Sequence, residues 1–244
     1  MKKIIFIILT LFMTISLFAK ESNLDYYKPM YFILGNSDDQ VKVQISFKYN
    51  LWKFNDNNNI YFGYSQYMYW DLYKSSGPFR EINYNPEGFY LLINPISNVD
   101  YIQFSPIEHL SNGKDEKETR GVNNIYGEIQ VSTQTKLNFG TSFRTWYSYM
   151  SSHKNENIMH YSGNNSVKIF MQLLSEDDEY YTDKEELYIK VSTFVWKEIK
   201  LCNYEIGLKF RMVTSLIQPY FFINFVSDYN KKDTALRSGI ILNY

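Results

Sequence analysis

Alternation of apolar and polar residues limits most of this chain to β-strands. Between residues 40 and 50, every second residue from Val41 to Tyr49 is apolar, and the residues between them are polar. This period of two indicates a strand, because successive side chains of a strand project from opposite faces. The chain also ends in this pattern, with Leu236, Ile240, Leu242 and the terminal aromatic Tyr244 in one phase.

About twelve segments have the pattern and the length that strands need to cross a membrane at a tilt. Long polar stretches at 71–86, 111–122 and 150–165 connect them at one end, and short turns connect them at the other. The pattern therefore predicts an all-β fold, a 12-stranded antiparallel transmembrane β-barrel of the bacterial outer membrane. The predicted strands are 29–35, 40–50, 59–70, 87–94, 100–110, 123–132, 137–149, 166–174, 187–197, 201–212, 217–228 and 234–244.

The N-terminus has the features of a secretory signal peptide. Lys2 and Lys3 precede a short apolar run, which ends near the small residue Ala19. A transmembrane anchor is the alternative, but the run is short for a membrane helix and lacks a stop-transfer flank. We therefore expect residues 1–19 to be removed on export and residues 20–244 to form a single domain.

Composition supports a barrel over other exported folds. Aromatic residues make up 18% of the chain although the mean hydropathy is only −0.36, as expected where lumen-facing polar residues alternate with lipid-facing apolar ones. A soluble β-sandwich would also have many short strands, but it needs no terminal aromatic. Removing Lys2 and Lys3 takes the formal net charge from −1 to −3, which leaves no basic excess for nucleic acid. Cys202 is the only cysteine, so no intrachain disulfide forms.

The segment 101–130 contains the residues that indicate chemistry. His109 and Ser111 are two apart at the end of one predicted strand and share a face, while Asn123 begins the next strand. A serine, a histidine and a group that orients the histidine are the components of a nucleophilic hydrolase. Alternation places His109 and Ser111 on the face of Tyr101 and Ile107, which is apolar and would contact lipid. A lipid substrate is therefore expected, although His-x-Ser alone also fits a histidine beside an ordinary turn.

Two longer blocks resemble one known family. HLSNGKDEKETRGVNNIY (109–126) is similar to the signature of the outer-membrane phospholipase A family: His-x-Ser-Asn-Gly, a charged loop, a hydroxyl residue before Arg, then Asn before an aromatic. YSQYMYWDLYKSSGPFREINYNPEGF (64–89) resembles a second block of the same family, in the right order and at about the right distance. The resemblance extends more loosely through the strand layout to the C-terminus.

The resemblance implies a role for each matched residue. Ser111 would be the nucleophile, His109 the base that takes its proton, and Asn123 the group that orients the imidazole. The neighbouring Asn124 is the alternative for this last role. The family uses calcium near the site, and the matched positions are Thr119 through its hydroxyl, Lys114 through its backbone carbonyl, and Ser76 through the carbonyl of a second subunit.

The resemblance implies a calcium-dependent phospholipase of the A1/A2 type that cleaves acyl esters of glycerophospholipids, and of lysophospholipids as a possible further substrate, in the outer membrane. It also implies that a homodimer is the active form, with Gln66 at a position that the family buries between subunits; a lumen-facing glutamine is the alternative. Two other classes stay open from the residues themselves. These are a non-catalytic barrel or pore, and a different lipid-modifying barrel enzyme such as a lipid A deacylase.

Overall fold

The computed structural model describes residues 23–35, 41–72, 74–114, 119–149, 163–173, 185–195, 199–209, 217–227 and 232–242. The predicted signal peptide, 1–19, lies outside these ranges. Within them, no helix is long and apolar enough to cross a membrane. The described residues form strands β1 (Leu24–Tyr26), β2 (Met30–Gly35), β3 (Val41–Asn55), β4 (Asn58–Trp70), β5 (Phe79–Ile93), β6 (Val99–Ser111), β7 (Gly121–Ser132), β8 (Leu137–Tyr149), β9 (Asn165–Leu173), β10 (Glu185–Val195), β11 (Ile199–Lys209), β12 (Ile217–Ser227) and β13 (Lys232–Leu242).

The strands form one closed antiparallel sheet. From β3 to β13, each strand pairs with the next along the chain, and β13 pairs with β2, which in turn pairs with β3. The predicted all-β antiparallel barrel is confirmed. The number of strands differs from the expected twelve because of β1, which pairs with Phe47–Tyr49 of β3, beyond the part of β3 that pairs with β2.

The barrel is polar inside and apolar outside. Buried inward-facing side chains include Ser46 and Ser65, whose hydroxyl oxygens are 2.8 Å apart, and Glu87, which forms a 2.6 Å ion pair with Lys28. Large apolar side chains are exposed on the outer face, among them Phe104, Phe143 and Ile169. This arrangement is the physical origin of the alternation in the sequence, because only side chains that face lipid need be apolar.

β5 is longer than the sequence pattern predicted. It begins at Phe79, whereas the predicted strand began at residue 87. The missed part carries Asn85 facing the lumen, where its Nδ2 donates to the His109 carbonyl oxygen, and it contains Pro86, which disfavours a strand in sequence reading. This part of β5 pairs with Tyr64–Trp70 of β4, and Asn85 adds a polar contact in the lumen.

Candidate active site

The pairing of β6 with β7 places His109 directly opposite Asn123. The His109 Nδ1 atom lies 2.8 Å from Asn123 Oδ1. An amide oxygen only accepts hydrogen bonds, so with this partner Nδ1 carries the proton and Nε2 is left as an acceptor. This is the tautomer that a histidine needs to take a proton from a serine.

His109 and Ser111 project from the outer face of the barrel. Ile107, two residues before His109, is 51% exposed on this face, and Ile125, two residues beyond Asn123, is also exposed. The expected parity is wrong for Tyr101, which points into the lumen and donates a 2.7 Å hydrogen bond to Glu128. The reason is a shift in the pairing of β6 between Ser105 and Glu108, which reverses the alternation before His109 is reached.

The two neighbouring asparagines occupy opposite sides of the barrel wall. Asn124 is buried in the lumen, where its Nδ2 donates to Glu108 Oε2 at 2.9 Å and its Oδ1 accepts from Ser148 at 2.7 Å. Asn123 is the asparagine whose side chain contacts His109. The choice between them follows from strand alternation, which separates adjacent side chains onto the two faces.

A backbone donor that sequence reasoning missed lies beside Ser111. The Gly113 N–H donates to Ser111 Oγ at 3.2 Å. Gly113 has a positive φ of 63°, and a Cβ atom there would lie 2.6 Å from the Tyr84 ring. Glycine is therefore required both for the backbone conformation and for space. The only sequence signal was the Ser-Asn-Gly triplet, which is also an ordinary turn.

Asn112 closes the base of the loop between β6 and β7. Its buried side chain accepts hydrogen bonds through Oδ1 from the backbone N–H groups of Arg120 (2.8 Å) and Lys114 (3.4 Å). Its own N–H donates to the Arg120 carbonyl oxygen at 3.0 Å. The two ends of the loop, which carry the expected calcium positions Lys114 and Thr119, are thereby drawn together. Residues 115–118 between them lie outside the described ranges.

Ser76 lies in the connection between β4 and β5, at the same end of the barrel as the β6–β7 loop. It is exposed and has a positive φ of 68°. The turn around it is held by the Trp70 indole N–H, which donates to the Gly77 carbonyl oxygen at 2.7 Å, and by a 2.8 Å ion pair between Lys74 and Asp71. The hydrogen bond from Lys74 holds the pKa of Asp71 below its usual range.

The expected calcium positions contribute only neutral oxygen atoms. Among the described residues, no three or more His, Cys, Asp or Glu side chains are grouped so that they could hold a metal. A cation near Lys114 and Thr119 would depend on carbonyl, hydroxyl and water oxygens. Hard cations such as calcium accept these ligands.

Comparison with known proteins gives consistent matches over nearly the whole chain. The sequence profile of the family described as Phospholipase A1 matches residues 9–242. The Phospholipase A1 of Proteus vulgaris is 27% identical over 213 residues, which cover 84% of this chain and 70% of that protein. The Phospholipase A1 of Escherichia coli strain K12 is also 27% identical over 213 residues, with the same coverage of both chains.

Solved structures share the fold at lower sequence identity. The outer membrane phospholipase A of Escherichia coli matches with a TM-score of 0.72 and 21% identity, covering 89% of this chain and 93% of that chain. The outer membrane phospholipase dimer of Salmonella typhi with bound calcium matches with a TM-score of 0.72 and 22% identity, covering 92% of this chain and 94% of that chain.

Proposed function

The chain belongs to the phospholipase A1 family, and we propose that its active site is the group of His109, Ser111 and Asn123 on the outer face of the barrel. As a member of this family, the chain is a phospholipase of the outer membrane. The 2.8 Å contact between His109 Nδ1 and Asn123 Oδ1 carries the assignment of the site. It fixes the imidazole in the tautomer that a base requires, on the same face as Ser111.

In the first half of the proposed reaction, Ser111 Oγ attacks the carbonyl carbon of a phospholipid acyl ester as His109 Nε2 takes the hydroxyl proton. The tetrahedral intermediate collapses when the ester C–O bond breaks, and His109 returns the proton to the leaving alcohol oxygen of the lysophospholipid. In the second half, His109 takes a proton from water, which attacks the acyl-serine, and the fatty acid leaves as Ser111 regains its proton. Asn123 stays neutral, so it orients the imidazole more than it stabilises the imidazolium charge.

The Gly113 N–H is a candidate donor to the oxyanion. In the free enzyme it points at Ser111 Oγ, the atom that becomes bonded to the substrate carbonyl carbon. When Ser111 Oγ bonds to the carbonyl carbon, the oxyanion is bonded to that same carbon and so lies close to the Gly113 N–H. A fixed backbone donor of this kind stabilises the developing negative charge without reorganisation.

We extend the proposal to calcium, because the donor set at the loop ends fits a hard cation. Asn112 Oδ1 accepts hydrogen bonds from both ends of the β6–β7 loop, at Lys114 and at Arg120. The Lys114 carbonyl and the Thr119 hydroxyl belong to these two ends. Bound calcium would supply positive charge near the ester being cleaved. The calcium in the Salmonella typhi relative supports this assignment.

A homodimer is the proposed active form. The Salmonella typhi relative is a dimer, and the expected ligand Ser76 lies on an exposed turn from which it can reach a second subunit. Gln66 supports a partner surface on the same side of the barrel. It shares the outer face with Phe62, which is exposed, and accepts a 2.8 Å hydrogen bond from Tyr64. A polar amide on a lipid-facing surface is better accommodated against a second protein than against hydrocarbon.

The filled lumen favours an enzyme over a pore. Gln103, Tyr126 and Glu87 are buried inside the barrel and bound to one another by hydrogen bonds. Together with the outward direction of Ser111, this supports lipid, and not a solute in the lumen, as the substrate. Phospholipid is proposed over lipid A because both sequence blocks match the phospholipase family.

The test is hydrolysis of phospholipid by the refolded full chain, with calcium and with excess chelator. We expect turnover with calcium, none with chelator, and none for Ser111→Ala, while Ser97→Ala, an exposed serine at the opposite end of the barrel, retains full activity. Heat-modifiable gel mobility checks that each variant is folded. Activity in Ser111→Ala would remove the serine from the mechanism, and activity in chelator would remove the metal. Cleavage of lipopolysaccharide but not phospholipid would favour the deacylase alternative.

A further inference from the structure

The strand that carries His109 reverses its alternation partway along its length. Ser105 is buried in the lumen, and Glu108, three residues later, is buried there too. Regular alternation from Ser105 would place Glu108 on the lipid face and His109 in the lumen. At this point the pairing of β6 shifts by one residue against both of its neighbours, β5 and β7. β6 therefore contains one extra residue, a β-bulge, and this bulge decides which face His109 occupies.

The local sequence fits the bulge. Ser105 Oγ lies 2.9 Å from the carbonyl oxygen of Gly88 on β5 and 2.9 Å from that of Ile107 on β6, so its hydroxyl lies between two backbone acceptors at the irregularity. Pro106 has no N–H that the disrupted pairing would leave without a partner, and bulges are among the few places where a strand accepts proline. Phe104 before the bulge and Ile107 after it are 49% and 51% exposed on the same outer face, although they are three positions apart and regular alternation would place them on opposite faces.

Glu108 lies on the His109 side of the bulge, and its side chain is bound in the lumen. Its side chain is buried, with Oε2 2.8 Å from Arg144 Nη2 and 2.9 Å from Asn124 Nδ2. The Arg144 guanidinium in turn stacks on the Tyr126 ring, 3.7 Å from its centre. On the lipid face the Glu108 carboxylate would lose these partners and lie against hydrocarbon, which is strongly disfavoured. A slip of the strand that turned His109 inward would turn Glu108 outward at the same time.

The same contacts reach the backbone of His109. Asn85 Nδ2 lies 3.4 Å from Glu108 Oε1 and 3.2 Å from the His109 carbonyl oxygen. Glu108 is paired with Asn124, and His109 with Asn123, at consecutive positions of the β6–β7 pairing. One pair lies on the inner face and the other on the outer face of the same short piece of sheet.

We propose that Glu108 is a positioning residue for His109, holding β6 in the bulged register that presents the imidazole to Asn123 on the lipid face. The proposal rests on the proposed function in taking His109 to be the base. Glu108 does not contact substrate. It acts by binding Arg144 and Asn124 in the lumen, so that the backbone between the bulge and His109 has one stable arrangement.

The test uses Glu108→Gln, which keeps the shape of the side chain and removes its charge. The chain contains three histidines, so replacing His153 and His160 by glutamine leaves His109 as the only one. In 15N-histidine-labelled protein refolded in detergent micelles, we expect a hydrogen-bonded Nδ1–H signal that is lost or moved in Glu108→Gln. We also expect kcat for a short-chain ester to fall about ten-fold, with KM unchanged, because a small misplacement of a reacting group slows the chemical step.

Tyr101→Phe is the matched control. It also removes a lumen hydrogen bond on β6, the 2.7 Å contact with Glu128, but on the other side of the bulge from His109. We expect this variant to retain the imidazole signal and the full kcat. An equal loss in Tyr101→Phe would mean that the lumen contacts only stabilise the barrel, and would overturn the positioning role.

Two further outcomes would overturn the proposal: an unchanged imidazole signal with unchanged kcat, and a fall in kcat with an unchanged signal. If Glu108→Gln does not refold because Arg144 is left as a buried cation, the double variant Glu108→Gln/Arg144→Gln removes both charges and is judged by the same two readouts. A changed signal with full kcat would support positioning and instead exclude His109 as the base. An inactive wild-type protein would exclude the proposed function, while the imidazole signal would still decide the positioning role.

Discussion

Asn123 and Asn124 are adjacent in the chain, yet one holds the imidazole of His109 outside the barrel and the other holds the carboxylate of Glu108 inside it. The wall of the barrel is a single β-sheet, so only the backbone separates the His109 imidazole from the Glu108 side chain that supports it. A substitution on either face is therefore expected to have a distinct effect.

Asn123→Ala should lower kcat by about 10- to 100-fold, because the imidazole loses the partner that fixes its tautomer. Asn123→Asp keeps an oxygen acceptor at the same place and should retain most of the activity. Steady-state hydrolysis of a phospholipid in mixed micelles measures both variants. Equal loss in the alanine and aspartate variants would argue against an orienting role for this residue.

Asn124→Ala should act first on stability. It removes one of the buried hydrogen bonds of Glu108, which keeps its contact with Arg144, and the hydrogen bond that Ser148 donates to Asn124, at a cost of about 1–3 kcal/mol in the free energy of unfolding. Urea unfolding followed by gel mobility measures this cost, with Asn57→Ala, an exposed turn residue, as the control. A variant as stable as wild type would show that the lumen contacts of Asn124 contribute little.

Gly113→Ala should lower kcat about 100-fold if its N–H stabilises the oxyanion. The added methyl group would collide with the Tyr84 ring, and alanine disfavours the positive φ at this position. Gly127→Ala is the control, because a Cβ there meets no atom within 4 Å. Alanine keeps the N–H but shifts it, so activity of Gly113→Ala close to that of Gly127→Ala would show that the placement of this N–H does not limit the rate.

Asn112→Ala should weaken calcium binding about ten-fold and leave kcat at saturating calcium nearly unchanged. The loop ends that carry Lys114 and Thr119 would lose the side chain that draws them together. Asn112→Asp keeps the acceptor oxygen and should bind calcium normally. Calorimetric titration with calcium alone measures binding without turnover. Unchanged calcium affinity in the alanine variant would show that Asn112 does not support the metal site.

Acidification should loosen the turn that carries Ser76. The pKa of Asp71 is lowered in the folded protein, so its ion pair stabilises the turn above the ordinary aspartate pKa of about 3.9 and is lost as the pH falls through the lowered value. The Trp70 indole N–H, which donates to Gly77, reports this change in a 1H–15N spectrum between about pH 6 and pH 2. In Asp71→Asn the signal should start at its low-pH position. A signal that titrates in both proteins would assign the change to another group.

Strand β3 could be predicted from the sequence because its apolar residues, Val41 to Tyr49, follow the two-residue period without interruption. Strand β6 shows where this reasoning fails. A parity count carried Tyr101 onto the same face as His109, although the bulge reverses the alternation between them. Pro106 was the available signal, since proline within a strand so often marks a bulge.

The parts of the site that sequence reasoning missed depend on three-dimensional geometry. Gly113 and Asn112 lie inside a triplet that resembles any turn, and their roles follow from a positive φ and from hydrogen bonds across the loop. Glu108 gave no signal of its own, because its partner Arg144 is on another strand. The residues Ser111, His109 and Asn123 could be predicted only because a longer motif surrounds them.

The pairing of β13 with β2 has a consequence for assembly. Arg237 lies opposite Gly35, so the strands that meet at this seam are separated by about 200 residues of chain. Until the last strand arrives, β2 and β12 each present an open edge that can recruit another chain. Loss of β13 would therefore remove its pairing with both β12 and β2 and expose both edges, so we expect a shortened chain to aggregate and not to close into a smaller barrel.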